Sequence, residues 1–254
     1  AGGAGSGWAA AAGGELARID ANRLGQIAID KAIRSRDPAP LAPGRYTVVL
    51  EPSPAADMLS LLTRSMDARS ADEGRSAFSR RGGGNRIGER LLAENVTIRS
   101  DPGHALAPSS IYGEDGLPLA PVTWFENGVL RALPASRFWA ARQGGPAIPR
   151  PSNFILEGGA RSTQQLVASV ERGVLVTRFW YIRPVDQRTL VFTGLTRDGM
   201  FMIENGEITG PVSNMRWNES PLAVLSNAPE FGAAVRARGT EARGAIVCPP
   251  ILAR

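Results

Sequence analysis

Two Asn-Gly pairs constrain the fold of this chain more than any other feature of its sequence. The stretches FENGVL at 125–130 and IENGEI at 203–208 each set Asn-Gly between apolar segments. Asn-Gly is the preferred pair for a two-residue hairpin, because both central residues of that turn need a positive φ. The sequence therefore predicts two antiparallel hairpins, with Glu126 and Glu204 at exposed turns rather than in a shared reactive role.

Three other patterns predict helices. Apolar residues recur with helical spacing over 20–35, which predicts an amphipathic helix. Ser53 followed by proline predicts the start of a second helix, whose Met and Leu residues at helical spacing indicate a buried face. A capping box formed by Ser162 and Gln165 predicts a third helix over 163–172.

Several segments are rich in β-branched and aromatic residues and predict strands, notably 45–50, 95–101 and 173–186. The stretch AIVCPPIL at 245–252 predicts a closing strand that its prolines end. We therefore predict an α+β fold with predominantly antiparallel or mixed β-sheet, arranged as a barrel or a sandwich, and a few flanking helices.

The formal net charge of +5 raises the question of a nucleic-acid partner. The basic residues include one lysine, Lys31, and the arginines are scattered, with no stripe in which aromatic residues alternate with basic ones. This distribution is more typical of a solvated basic surface than of a nucleic-acid site. No window of the sequence approaches the roughly 18 consecutive apolar residues that a membrane helix needs, so we expect no membrane association.

Cys248 and His104 are the single cysteine and the single histidine of the chain. An intrachain disulfide is excluded, which fits a reducing compartment. Structural zinc sites take four Cys or His ligands, and catalytic sites take three protein ligands. We therefore expect no zinc site and no catalytic residue in this chain. An oxygen-ligated calcium or magnesium site stays open, although no Asp-x-Asp-x-Asp-Gly spacing supports one.

Five segments occur in an order that resembles the C-terminal region of the TldD/PmbA family, also called the modulators of DNA gyrase. The segments are 43–62, 74–102, 109–130, 149–159 and 197–212. The resemblance implies two parts: 1–44, a flexible Gly/Ala-rich lead-in with a linking helix, and 45–254, a C-terminal domain of this type. The family's N-terminal region, which would precede GSGW at 5–8, is expected to be absent from this chain.

Family members that resemble TldD carry His-Glu-x-x-x-His on the helix that follows the strand equivalent to 45–50. The matching helix here, within 53–70, has neither His nor Glu and offers only Asp57 and Asp67. Ten helical residues separate two side chains by about 15 Å, which is too far for them to share a metal ion. No zinc-binding residue can therefore be transferred from the family to this chain.

This departure resembles the PmbA/TldE branch. The resemblance implies a non-catalytic subunit of a heteromeric, cytoplasmic zinc metallopeptidase that degrades or matures unfolded peptides. Zinc would be supplied by a TldD-like partner, and the peptide would pair with a strand edge. Within 178–186, Arg178, Trp180, Tyr181 and Arg183 are the candidates for peptide or partner contact, because such residues are enriched at interfaces. The competing interpretation is that these aromatic residues are ordinary core packing.

Two other functional classes remain open at the level of sequence. A basic binding module could modulate a nucleic-acid enzyme, as the older family name suggests, and the positive charge is its main support. A structural or self-associating protein is the third class. Whether the chain is an enzyme is left undecided, although catalysis by this chain alone is not expected.

Overall fold

The computed structural model describes residues 5–239 and 244–254. Its helices are α1 (Ala21–Arg34), α2 (Pro52–Arg64), α3 (Ala68–Asp72), α4 (Arg137–Gln143), α5 (Thr163–Val167) and α6 (Pro221–Ser226). Its strands are β1 (Thr47–Leu50), β2 (Ile98–Ser100), β3 (Val122–Glu126), β4 (Val129–Leu130), β5 (Asn153–Leu156), β6 (Arg172–Val176), β7 (Phe179–Asp186), β8 (Val191–Thr196), β9 (Met200–Glu204), β10 (Glu207–Val212), β11 (Arg216–Glu219), β12 (Glu230–Phe231), β13 (Val235–Ala237), β14 (Ala245–Cys248) and β15 (Ile251–Ala253).

The strands form three sheets, of which the first and third are mixed and the second is antiparallel. The first sheet has the order β10-β9-β6-β1-β15-β12, the second β11-β8-β7, and the third β13-β14-β5-β2-β3-β4. Most neighbours are antiparallel, and β1–β6 and β14–β5 are parallel pairs. The predicted α+β fold is confirmed. Of the two arrangements considered, the sheets are sandwich-like, and within the described residues none of them closes into a barrel.

Both predicted hairpins are present. Asn127 and Gly128 have φ values of 49° and 77°, and they join β3 to β4. Asn205 and Gly206 have φ values of 51° and 80°, and they join β9 to β10. Glu126 lies at the exposed mouth of its turn and forms an ion pair with Arg131, as expected for a surface turn.

The helix α2 lies at the centre of the packing. Eleven of its residues, from Ser53 to Thr63, are buried, and the helix contacts α6 and strands of all three sheets, namely β1, β7, β13 and β14. The buried face predicted for this helix is confirmed, with Met58 and Leu62 in the main hydrophobic cluster. A helix enclosed in this way depends on apolar burial for its stability.

The predicted start of α2, with Ser53 as the N-cap residue, is two residues too late. Pro52 occupies the first helical turn, which suits its fixed φ, and Glu51 is the N-cap residue without a side-chain cap. The Glu51 carboxylate instead accepts a hydrogen bond of 2.6 Å from Lys31 Nζ on α1. Burial raises the pKa of Glu51, and the charge and hydrogen bond of Lys31 oppose that rise.

Two predicted boundaries near the sheets are also wrong. The capping box of Ser162 and Gln165 is present, but α5 ends at Val167 instead of continuing to 172. The strand predicted from 173 begins one residue earlier, at Arg172, and pairs with β1 and β9. Before it, the Val170 and Glu171 carbonyls accept hydrogen bonds from Gly206 and Asn205 of the β9–β10 turn, so contacts with that turn take the place of further helical bonds. The prolines of AIVCPPIL end β14, as expected, but a further strand, β15, follows them in the first sheet.

The N-terminal segment lies against α1, which matches the helix predicted over 20–35. A Cβ atom on Gly7 would come within 2.0 Å of the carbonyl oxygen of Ala28, so glycine allows this close approach. Lys31 Nζ donates a 3.4 Å hydrogen bond to the Trp8 carbonyl. Ile33, one of the apolar residues of this helix, is 53% exposed. The division into 1–44 and 45–254 stays a prediction.

Across 5–239 and 244–254, no helix combines the length and the apolar character needed to cross a membrane.

Gly128→Ala should destabilise the protein strongly. A Cβ atom at this position would lie 2.2 Å from the Leu92 carbonyl oxygen, in addition to the cost of a positive φ. Gly116→Ala is the matched control, because its φ is +73° and the space around it is open. We expect Gly116→Ala to lower the free energy of unfolding by about 1–2 kcal/mol, and Gly128→Ala to lower it by clearly more. Urea denaturation measures both, and equal losses would contradict this account of the hairpin.

Candidate functional site

One side of α2 carries a polar stripe that leads from the core to the surface. Ser53, Asp57, Ser60 and Arg64 follow each other at spacings of four, three and four residues, which places them on one helical face. Asp57 is fully buried, and Gly239 packs so closely that a Cβ there would lie 2.2 Å from its Oδ1. Ser60 and Arg64 instead reach a cleft.

This cleft has a volume of about 730 Å³ and opens along the C-terminal half of α2. Its apolar lining comes from Leu119, Pro134, Ala135, Ile148, Pro149, Pro151 and Phe154. Its charged residues are Arg64, Asp67, Glu114, Asp115 and Arg150. A largely apolar cleft with a few convergent polar groups is the usual form of a small-ligand site, so we take it as the first candidate.

Arg150 connects the cleft to the end of α2. Its Nη1 donates a 3.0 Å hydrogen bond to the Thr63 carbonyl, and its Nη2 donates to the Met66 carbonyl. Thr63 lies in the last turn of α2, where carbonyls lack the usual helical partner four residues on, and Met66 follows the C-cap residue Ser65. Burial of the guanidinium lowers the pKa of Arg150, while Asp67 and then Glu114 oppose that fall. The guanidinium nevertheless stays protonated at neutral pH.

The acidic residues of the cleft differ in how much they are used by the fold. Asp67 caps α3, since its Oδ1 accepts a 2.8 Å hydrogen bond from the Ser70 backbone N–H. Asp115 accepts from the Leu117 backbone N–H at 3.3 Å within its own turn. Glu114 is exposed, and no residue in the described part of the chain forms an ion pair with it. Glu114 is therefore the carboxylate that remains available to a ligand.

The side chains around α2 do not fit a zinc ion. The two cleft-facing positions four residues apart on α2 are Ser60 and Arg64, where zinc binding would need ligands such as a pair of histidines. Among the described residues, no three His, Cys, Asp or Glu side chains come close enough together to hold a metal. We therefore derive no chemical step through a metal on this chain.

Cys248 is also unsuited to metal binding. It lies in β14 at 0% exposure, and burial raises the pKa of its thiol, with the negative charge of Asp57 adding to the rise. A cysteine binds metal as the thiolate. The position of Cys248 against α2 therefore keeps the thiol protonated.

The structure brings the sequence-predicted residues together on and beside β7, at the edge of the second sheet. The Arg178 guanidinium lies 4.6 Å from the Trp8 ring centroid and 5.0 Å from that of Trp180. Arg178 also forms an ion pair with Asp198. These contacts attach the N-terminal segment to the second sheet, which is a packing role. They also form an aromatic and basic surface at the β7 edge of that sheet.

Tyr181 is the unusual residue of β7. It has a φ of 53°, is 53% exposed, and lies at a register shift between β7 and β8. The Arg183 guanidinium lies 4.0 Å from the Tyr181 ring centroid. A non-glycine residue with positive φ is often associated with function. A role of Arg178, Trp180, Tyr181 and Arg183 in binding stays a prediction.

None of these four residues lines the cleft. Sequence reasoning missed the cleft itself, because its walls come from segments far apart in the chain. Glu114 lies in the turn sequence YGEDG, and Arg150 lies in a proline-rich stretch without a motif. The sequence signal that could have drawn attention to Arg150 is its position between two prolines, in PRP at 149–151.

A family model described as the PmbA/TldA metallopeptidase C-terminal domain matches residues 43–254. The chain belongs to the PmbA/TldD family. A relative named as a metalloprotease, from Methanothermobacter thermautotrophicus, is 28% identical over 239 residues, which cover 87% of this chain and 50% of the relative. The chain thus spans about half the length of this relative.

Solved structures of similar fold agree with this family assignment. TldE from Thermococcus kodakarensis has a TM-score of 0.78 and 18% identity, over 93% of this chain and 55% of that one. A proposed modulator of a DNA gyrase from Thermotoga maritima has a TM-score of 0.81 and 20% identity, over 94% of this chain and 55% of that one. At these identities the likeness shows the PmbA/TldD fold alone.

Cys248 should be inert in the native protein. Burial and the raised thiol pKa predict that a disulfide reagent such as DTNB labels it only as fast as the protein unfolds. The same protein in denaturant should release one equivalent of thiol at once, which is the control. Rapid labelling of the native protein in mildly alkaline buffer would show that the thiol is accessible, contrary to its position behind α2.

Proposed function

We propose that this chain is a TldE-like, non-catalytic subunit of a heteromeric zinc metallopeptidase that degrades or matures unfolded peptides. The observation that supports this proposal most directly is the composition of α2. In family members that resemble TldD, this helix carries His-Glu-x-x-x-His, whereas here Pro52–Arg64 contains neither His nor Glu. The polar residues of α2 that face the cleft are Ser60, Thr63 and Arg64.

Zinc would then come from a TldD-like partner subunit, and this chain would complete the enclosure around the peptide. The β7 edge is our candidate for contact with the partner or with an extended peptide. Its support is the exposed Tyr181 and Val185 at 53% and 59%, together with the guanidinium of Arg183 above the Tyr181 ring. Exposed aromatic residues and arginines often carry binding energy at interfaces.

Three further parts of this proposal follow from the family resemblance. The location would be cytoplasmic, the part 45–254 would be the C-terminal domain, and 1–44 would link it to the region that precedes it in longer relatives. Contacts such as the ion pair of Lys31 with Glu51 at 2.6 Å support a fixed orientation of the linking helix.

The alternative of a module that modulates a nucleic-acid enzyme has less support. Arg80 and Arg86 belong to the densest basic stretch of the chain, and both donate 2.9 Å hydrogen bonds to Glu89. One carboxylate therefore offsets half of the positive charge of this arginine pair. Non-specific nucleic-acid binding depends on cations that neutralise phosphates, so this partial compensation weakens the alternative.

Reconstitution tests the proposed function. The isolated chain should not cleave an unfolded peptide such as reduced casein. Mixing it with a family member that carries His-Glu-x-x-x-His should give cleavage that a chelator abolishes and that zinc restores. Chelator-sensitive cleavage by the purified chain alone would contradict the non-catalytic assignment, as would full activity of the partner alone.

Tyr181→Asn tests the β7 edge. Asparagine tolerates a positive φ, so we expect the variant to fold while its affinity for the zinc-bearing partner falls about tenfold or more, as for an interface anchor. Tyr112→Asn is the control for assembly, because Tyr112 is also exposed, at 59%, but belongs to the lining of the cleft rather than to β7. Sedimentation or light scattering with the partner measures assembly. Equal affinities for the two variants and the parent chain would remove β7 from the interface.

A further inference from the structure

We propose that the cleft beside α2 binds a short peptide by its two free ends, with the carboxylate at Arg150 and the ammonium at Glu114. This inference deepens the proposed function, since it names a form of peptide that this chain itself would hold. It requires no metal and no partner, so it can be tested on the isolated chain.

The size and lining of the cleft suit such a ligand. Its volume of about 730 Å³ lies within the usual range of roughly 300–1,000 Å³ for small-ligand sites. An extended tripeptide is about 10 Å long, from a span of about 3.3–3.6 Å per residue. The apolar surfaces of Leu119, Ile148 and Phe154 would contact the middle of the peptide.

Arg150 supplies the positive end of the cleft. A guanidinium carries five N–H donors, and the described hydrogen bonds use two of its nitrogens on the Thr63 and Met66 carbonyls. The same bonds hold the side chain in place at the end of α2. The remaining donors can bind a carboxylate, which is the planar acceptor that arginine matches best.

Glu114 supplies the negative end. It lies in the turn YGEDG, and this turn is held by Asp115, whose carboxylate accepts the Leu117 N–H. Glu114 and Arg150 are near enough to interact electrostatically, yet in the described structure they form no direct ion pair. Two opposite charges that line one cleft without closing on each other suit a zwitterion, whose ends would complete both pairs.

Titration calorimetry with trialanine tests this inference, alongside N-acetyl-trialanine and trialanine amide. We expect the free-ended peptide to bind, and each blocked peptide to bind about tenfold more weakly or worse, because each block leaves one charged side chain without its partner.

Two variants assign the two ends. Glu114→Gln should lower the affinity for trialanine about tenfold. This variant should bind trialanine and N-acetyl-trialanine equally well. Arg150→Lys keeps a donor for the carbonyls at the end of α2. In this variant, most of the difference in affinity between trialanine and trialanine amide should disappear. The matched controls are Glu94→Gln, whose parent side chain is 85% exposed, and Arg188→Lys on the exposed β7–β8 turn. Both controls should bind all three peptides like the parent chain.

Absence of binding by trialanine would overturn the inference, and so would equal affinity for all three peptides. Sensitivity to one block alone would also overturn it, because it would indicate a site for a simple carboxylate or a simple amine. None of these three outcomes bears on assembly with a zinc-bearing partner. Conversely, a chain that fails to reconstitute peptidase activity can still give the predicted titrations.

Discussion

The burial of α2 is the constraint on which the rest of the structure depends. Strands of all three sheets and α6 pack around this helix, so most of its positions accept only apolar or small side chains. Polar residues on it must find partners or reach the cleft. The sequence PSPAADMLSLLTR satisfies this constraint except at Ser53, whose buried Oγ has no hydrogen-bond partner in the described structure. A helix so enclosed can present few groups to a ligand. Those that line the cleft here, Ser60, Thr63 and Arg64, suit hydrogen bonding rather than zinc coordination.

The end of α2 and the cleft form one structural unit. Arg150 satisfies carbonyls at the end of the helix and lines the cleft at the same time, so the stability of the helix end fixes the position of a cation in the binding surface. The loop that carries Glu114 forms another part of the cleft lining. The edge strand β7, whose exposed Tyr181 does not line the cleft, is the surface that we propose for a macromolecular partner. A subunit that binds a peptide and a second chain would use both surfaces.

Features set by short-range chemistry could be predicted from the sequence, and features set by long-range contacts could not. The two Asn-Gly hairpins, the capping box at Ser162 and the apolar face of α2 each depend on a few neighbouring residues. The end of α5 is followed by the Val170 and Glu171 carbonyls, which accept hydrogen bonds from Gly206 and Asn205, far along the chain. The cleft likewise combines α2 with residues near 114 and 150. The order of motifs indicated the family, but local patterns did not reveal the cleft.

The most direct test of the account is the zinc content of the isolated chain. The purified chain would be exposed to excess zinc, desalted, and analysed by inductively coupled plasma mass spectrometry. With Ser60 and Arg64 facing the cleft and Cys248 buried as a protonated thiol, the account predicts far less than one zinc per chain. One tightly held zinc per chain, retained through desalting, would contradict it.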